Sequence, residues 1–139
     1  MIVCPYPFIV RRGKILLTRR KNTSYMDGMY SLPAGHEETD ESLLTCLVRE
    51  AKEEVGIIID PKTPALVHVM HRNEEDVRMD LFYLVSVWNG MPKICEPDKC
   101  DSMGWYAYSK LPQNTVPYIR AAIEAWQKGI LYEEWGWEA

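Results

Sequence analysis

Between about Thr39 and Val55 the apolar residues Leu43, Leu44, Leu47, Val48, Ala51 and Val55 recur at the three-and-four spacing of a one-sided helix. Thr39 or Asp40 can cap its start and Gly56 its end. Such a helix is stable only when something apolar covers its stripe, so the rest of the chain must supply a partner surface. It does so in strands. Ile2 to Arg12 and Lys14 to Arg20 are apolar, β-branched runs meeting at Gly13, and Asn22 to Met29 reads as a loop. Pro64 to Arg72 and Arg78 to Trp88 alternate like half-buried strands, joined by the charged turn Asn73, Glu74, Glu75, Asp76. Gly104 to Tyr108 can form another short strand. Val116 to Lys128 carries a second helical pattern through Ile119, Ala122, Ile123 and Trp126, ended by Gly129. The order of strands, helix, strands, helix predicts an α/β or α+β fold with helices packed on a sheet.

With 139 residues and no repeat, tract or linker, the chain is expected to form one domain over 1–139. Sixteen basic against 20 acidic residues leave a formal charge of −4, which argues against a general nucleic-acid or anionic-membrane surface. A phosphorylated small molecule would need a local cation. No apolar run approaches the roughly 18 residues of a membrane span, and Met1 to Val10 lacks a signal-peptide pattern, so a soluble, cytoplasmic protein is expected. Cys4, Cys46, Cys95 and Cys100 are scattered and expected to be free thiols. Cys95 and Cys100 lack a second ligand pair, and His68 and His71, three apart on a strand, point to opposite faces. Neither pair supports a zinc site. Trp135 and Trp137 are expected to dock the tail onto the body.

The chemistry concentrates on the first helix. At about 100° per residue, Glu50 and Glu54 lie within roughly 40° of each other, with Glu53 a step further round. Like charges at these spacings cost a helix a few tenths of a kcal/mol per pair, and Arg49 and Lys52 are the neighbours able to offset them. A solvated charged surface is one reading of such a face. The other is a site for a hard divalent cation, since Mg²⁺ is held by a few carboxylates together with substrate phosphates and water. Glu41, about 180° round the helix from Glu50, reads as a first-turn acid favourable to the helix dipole and not as a ligand.

The stretch GHEETDESLLTCLVREAKEEVGI, residues 35–57, resembles the 23-residue signature of the Nudix hydrolases. Gly35, Glu41, Arg49, Glu50, Glu53, Glu54 and Gly56 match its fixed positions, while Ala51 stands where a larger aliphatic is usual. Seven such coincidences arise by chance on the order of once in a million sequences. The likeness continues through LLTRR and YSLPAG before the box and EPDKC, GWY and LP behind it. It implies the Nudix fold, a mixed β-sheet sandwiched between α-helices, and metal-dependent cleavage of a nucleoside diphosphate linked to another moiety. The resemblance further implies that Glu50, Glu53 and Glu54 bind Mg²⁺ or Mn²⁺, joined by the Gly35 carbonyl and an acid outside the box, for which Glu96, then Asp98, is the candidate. Glu50, with Glu53 behind it, would be the general base, and Arg49 would orient an acid through its guanidinium fork.

For the substrate, Arg19 and above all Arg20 end a strand near the box, where cations could meet phosphates. Tyr30 and Phe82 could stack on a base, although such aromatics also build cores. Asn114 in LPQNTVP lies where MutT-like relatives use an amide to read a nucleobase. The markers associated with ADP-ribose and diadenosine polyphosphate enzymes, a Pro and a Tyr beyond the box, are absent at His71, Arg72 and Asn73. The upstream Arg of coenzyme A hydrolases is replaced by Tyr25. The resemblance therefore points to a MutT-like enzyme taking a (d)NTP or modified NTP to NMP and pyrophosphate. The alternatives are a nucleotide-sugar hydrolase or a non-catalytic nucleotide-binding module. A homodimer is compatible with the sequence.

Overall fold

In a computed structural model, residues 1–34 and 40–138 are described. The chain runs β1 (Ile2–Arg11), β2 (Lys14–Arg20), β3 (Tyr30–Ser31), α1 (Leu43–Val55), β4 (Ala65–Glu74), β5 (Asp76–Val85), β6 (Cys100–Ala107), α2 (Pro117–Gln127) and β7 (Tyr132–Trp135). The strands form a mixed sheet in the order β3-β2-β1-β5-β4-β7, with β6 on the other side of β2. β1 joins its two halves. Ile2 to Ile9 pair in parallel with Arg78 to Val85 of β5, and Val10 and Arg11 then pair antiparallel with Ile15 and Lys14 of β2.

Period-two alternation sorts the side chains to two faces. Phe8, Ile15, Leu17, Phe82 and Met70 face α2, which contributes Tyr118, Ile119, Ala122 and Ile123. Ile9, Leu16 and Val85 face α1 and its residues Leu47, Ala51 and Val55, with Ile57 and Ile59 closing that cluster. The result is the expected sheet between two helices. Burying each large aliphatic side chain contributes about 1.5–3 kcal/mol, so each helix is held mainly by its stripe.

Several boundaries differ from the sequence reading for local reasons. α1 begins at Leu43, and its cap is Ser42, whose hydroxyl accepts from the Thr45 N–H; Asp40 lies before it, and Thr39 falls outside the described residues. Glu41 is therefore not in the first turn at all. The β1–β2 turn uses Arg12 and Gly13, both at positive φ, the twist that a two-residue hairpin requires. β4 and β5 extend to Glu74 and Asp76 and pair there, which shortens the expected four-residue turn to Glu75. β6 starts at Cys100, four residues earlier than the composition suggests. The tail forms a strand of its own: β7 adds to β4 in parallel, from Val69–Tyr132 to Arg72–Trp135.

His68 is fully buried, with its ring nitrogens on the Ile130 carbonyl and Glu133 at 2.8 Å each, while His71 packs against Trp137. Both serve structure. No helix among the described residues is long and apolar enough to cross a membrane.

Candidate functional site

Packing the α1 stripe against β1 turns its acidic face toward a cavity of about 720 Å³. The wall at this end carries Arg49, Glu50, Glu53 and Glu54 from α1 together with Glu96. Glu96 reaches it because the chain after β5 clings to the helix end: the Lys93 and Cys95 N–H groups donate to the Val55 and Glu54 carbonyls at 3.0 Å each. Gly56, the C-cap at φ 73°, permits this, because a Cβ there would press on the Cys95 sulfur in a backbone region costly for other residues. Asp98, the second candidate acid, does not line the cavity; its carbonyl accepts from the Asn22 side chain.

Arg49 organises the cluster. Its Nε and Nη2 form a fork on Glu41, at 2.8 and 2.6 Å, while Nη1 donates to Glu50 at 2.8 Å and Glu53 at 3.1 Å. Glu41 is thus no first-turn acid on the helix dipole; only 12% of its side chain is exposed, and it anchors the cation that holds two box acids. The clue was present in the chain as two opposite charges eight residues apart, but the connection depends on Glu41 sitting outside the helix. Its carboxylate can then lie alongside Arg49.

Glu54 is held well above the usual carboxylate range, chiefly by burial and then by Glu50 and Glu96; Arg20 and Lys99 work in the opposite direction. Burial likewise raises Glu50, against the pull of Arg49. Clustered carboxylates that have lost water without gaining enough positive charge are the donor chemistry of a hard divalent cation, which takes oxygen ligands and restores the ionised form. Glu50, Glu53, Glu54 and Glu96 fit that role by type and by shared wall. Among the described residues, no three acids, His or Cys converge to coordination distance; like charges spread, and Arg49 holds one oxygen each of Glu50 and Glu53. Gly35 lies outside the described residues.

The neighbouring wall is basic. Thr18, Arg19 and Arg20 all line the cavity, although consecutive strand residues normally alternate. A register shift between Arg19 and Arg20 against β6 breaks the alternation. Arg20 is fixed by Nε on the Tyr25 carbonyl at 2.7 Å and by Nη2 on Thr23, and Arg19 by Asp101. Lys99, which sequence reasoning missed, joins them from the turn just before β6.

The remaining substrate candidates lie elsewhere. Tyr30 hydrogen-bonds Ser102 and packs edge-on against Tyr106, outside the cavity lining. Asn114 also stands outside it: its amide donates to the Gly28 carbonyl at 2.8 Å, and its own carbonyl accepts from the Tyr30 N–H. Phe82 is fully buried between Tyr6 and Phe8. The far end of the cavity is built instead from Cys4 and Tyr6 of β1, Tyr118 of α2, Tyr25, and the polar residues Arg72, Glu74 and Arg78. Arg72 pairs with the buried Asp80 at 2.6 Å and lies 3.7 Å from the Tyr118 ring centre.

Residues 6–127 match the NUDIX domain family, so the chain belongs to the Nudix hydrolases. A MutT NUDIX hydrolase from Burkholderia pseudomallei has a similar crystal structure, with 31% identity, a TM-score of 0.81 and coverage of 88% of this chain and 95% of that one. The chain is 37% identical over 79 residues to an ADP-ribose pyrophosphatase of Methanocaldococcus jannaschii, covering 57% of this chain and 45% of that protein. It is 30% identical over 107 residues to the human 8-oxo-dGDP phosphatase NUDT18, covering 76% and 32%. The chain spans less than half the length of these curated relatives.

Proposed function

We propose that this chain hydrolyses, with Mg²⁺ or Mn²⁺, a nucleoside diphosphate linked to another moiety, the substrate being an ordinary or modified nucleoside triphosphate released as monophosphate and pyrophosphate. The observation that carries the reading is the layout of one cavity: four acids on one wall, Arg20 and Lys99 beside them, and a tyrosine-lined far end. That layout matches a phosphate tail joined to a flat ring. Both curated relatives described above are named for nucleoside diphosphate compounds.

In this reading Glu50, Glu53, Glu54 and Glu96, with the Gly35 carbonyl, would hold the cation, and Glu50 would take the proton from the attacking water within hydrogen-bond reach. The bound cation would neutralise phosphate oxygens and make water easier to deprotonate. Arg49 keeps Glu50 aimed, and Arg20 and Lys99 take the outer phosphate oxygens. A panel of nucleotides and nucleotide sugars, assayed with Mg²⁺ or Mn²⁺ for phosphate and pyrophosphate release, tests this. Turnover of a triphosphate to pyrophosphate, abolished by EDTA, is expected. Turnover confined to nucleotide sugars, or indifferent to EDTA, refutes the substrate or the metal requirement respectively.

A further inference from the structure

The far end of the cavity contains a carboxylate held from three separate parts of the chain. Glu74 Oε2 accepts from the Tyr25 hydroxyl at 2.9 Å and from Arg72 Nη1 at 3.2 Å, and Oε1 accepts from the Trp135 indole N–H at 3.0 Å. The donors come from the loop after β2, from β4 and from the C-terminal β7. A carboxylate offers about four lone-pair positions, so these three described donors leave room on Oε1. The side chain remains 29% exposed and lines the cavity.

A surface glutamate that needed no fixed direction would gain little from three donors, since ordering a rotamer-rich side chain costs free energy. An acceptor that must stand ready for a ligand gains from being held before the ligand arrives. Glu74 itself has the wrong sign for phosphate, whereas Arg20, which acts on Glu54 and also lies 5.4 Å from the Tyr25 ring centre, and Lys99 supply cations to the acids. Arg72, Arg78 and Glu75 line the cavity too, but Glu74 is the acceptor held in place by three donors, and the group it would take from a ring beside the tyrosines is an N–H.

We propose that Glu74 reads an amino group on the substrate's nucleobase, and that Trp135 and Tyr25 are positioning residues that hold its carboxylate in the cavity. The class of substrate this selects is a nucleotide with an amino-bearing base. This rests on the reading of the cavity as a nucleotide site. The tail strand then has a use beyond covering an edge of the sheet, because β7 delivers the Trp135 N–H to Glu74.

The test compares three base pairs that differ by one amino group: adenine with purine, guanine with hypoxanthine, and cytosine with 2-pyrimidinone. Each is presented as a non-hydrolysable α,β-methylene triphosphate with Mg²⁺, and its Kd is measured by calorimetry on the whole chain. The natural protein is expected to favour the amino member of at least one pair about tenfold or more, the size of a hydrogen bond to a charged group. Glu74→Gln, which presents a mixed amide edge, should shrink that ratio to within about threefold. Trp135→Phe, which keeps an aromatic side chain and loses the donor, should reduce it by a smaller factor, a change that a merely structural role would not make to a ratio. Equal binding within every pair, a ratio unchanged in both variants, or no binding of any analogue overturns the proposal. Binding with the expected ratios but no turnover of the hydrolysable triphosphates leaves this proposal standing and overturns the catalytic one.

Discussion

Glu41→Gln separates the sequence-level reading of that residue from the structural one. Placed on a helix opposite Glu50, Glu41 should tolerate the change at almost no cost. In the structure it receives both arms of the Arg49 fork, at 2.6 and 2.8 Å, with side-chain exposures of 12% for Glu41 and 24% for Arg49. Gln keeps one acceptor and turns an NH₂ group toward a guanidinium that can only donate. The loss is one charge-assisted hydrogen bond plus a donor–donor clash, about 2 kcal/mol. At roughly 2 cal/mol/K of unfolding entropy per residue, each kcal/mol is worth about 3–4 °C in a domain of this size, so a fall of about 7 °C in Tm is expected. Arg49 would also hold Glu50 and Glu53 less firmly, lowering kcat by about tenfold. Ser42→Ala provides a stability reference: losing the helix cap should cost about 1 kcal/mol while both carboxylate oxygens of Glu41 stay available to Arg49. Thermal melts and steady-state kinetics on both variants decide the matter. A Glu41→Gln protein within about 1 °C of the parent, with kcat intact, would refute the positioning argument; the expected shift is several times larger.

Removing the carboxylate of Glu54, buried beside Glu50 and Glu96, should relieve repulsion, so Glu54→Gln is expected to raise the cation-free Tm by about 3 °C while turnover falls by about a hundredfold or more. The same variant should lose most of the stabilisation that saturating Mg²⁺ gives the parent, about 2.7 kcal/mol at 100 times Kd; differential scanning fluorimetry with Mg²⁺ and EDTA reads both effects. The Cys46 thiol is pushed up to about 12, first by burial and then by Glu41. Because the folded state keeps this proton more tightly than the unfolded chain, whose thiol titrates near about 8.5, its contribution to stability is lost as pH rises from there toward about 12. Urea melts across that window should show a shallower decline for Cys46→Ala than for the parent, and equal slopes would contradict the assignment.

The repeating patterns were legible in the chain itself. Leu43 to Val55 had to form a one-sided helix, and the alternating runs around it had to form strands, because periods of 3.6 and 2 follow from backbone geometry without reference to any partner. The same geometry placed Arg49, Glu50, Glu53 and Glu54 on that helix, whereas the family they signify was legible through the resemblance of residues 35–57 to the Nudix signature. What lay beyond reach depended on contacts between distant segments. Parallel pairing of β1 with β5 and of β7 with β4 is chosen by which faces bury together, so Tyr132 to Trp135 carried too weak a local signal to be read as a strand. Glu41 changed from bystander to anchor when the helix started at Leu43, two residues after it, an outcome set by the Ser42 cap. Asn114 and Tyr30 spend their polar groups on neighbouring loops and β6, while Glu74, which looked like part of a charged turn, faces the cavity under three donors. Local physics determined the elements and the acidic face; only the tertiary structure decided which side chains share the cavity, because hydrogen-bond partners far apart in sequence become neighbours only when the sheet closes.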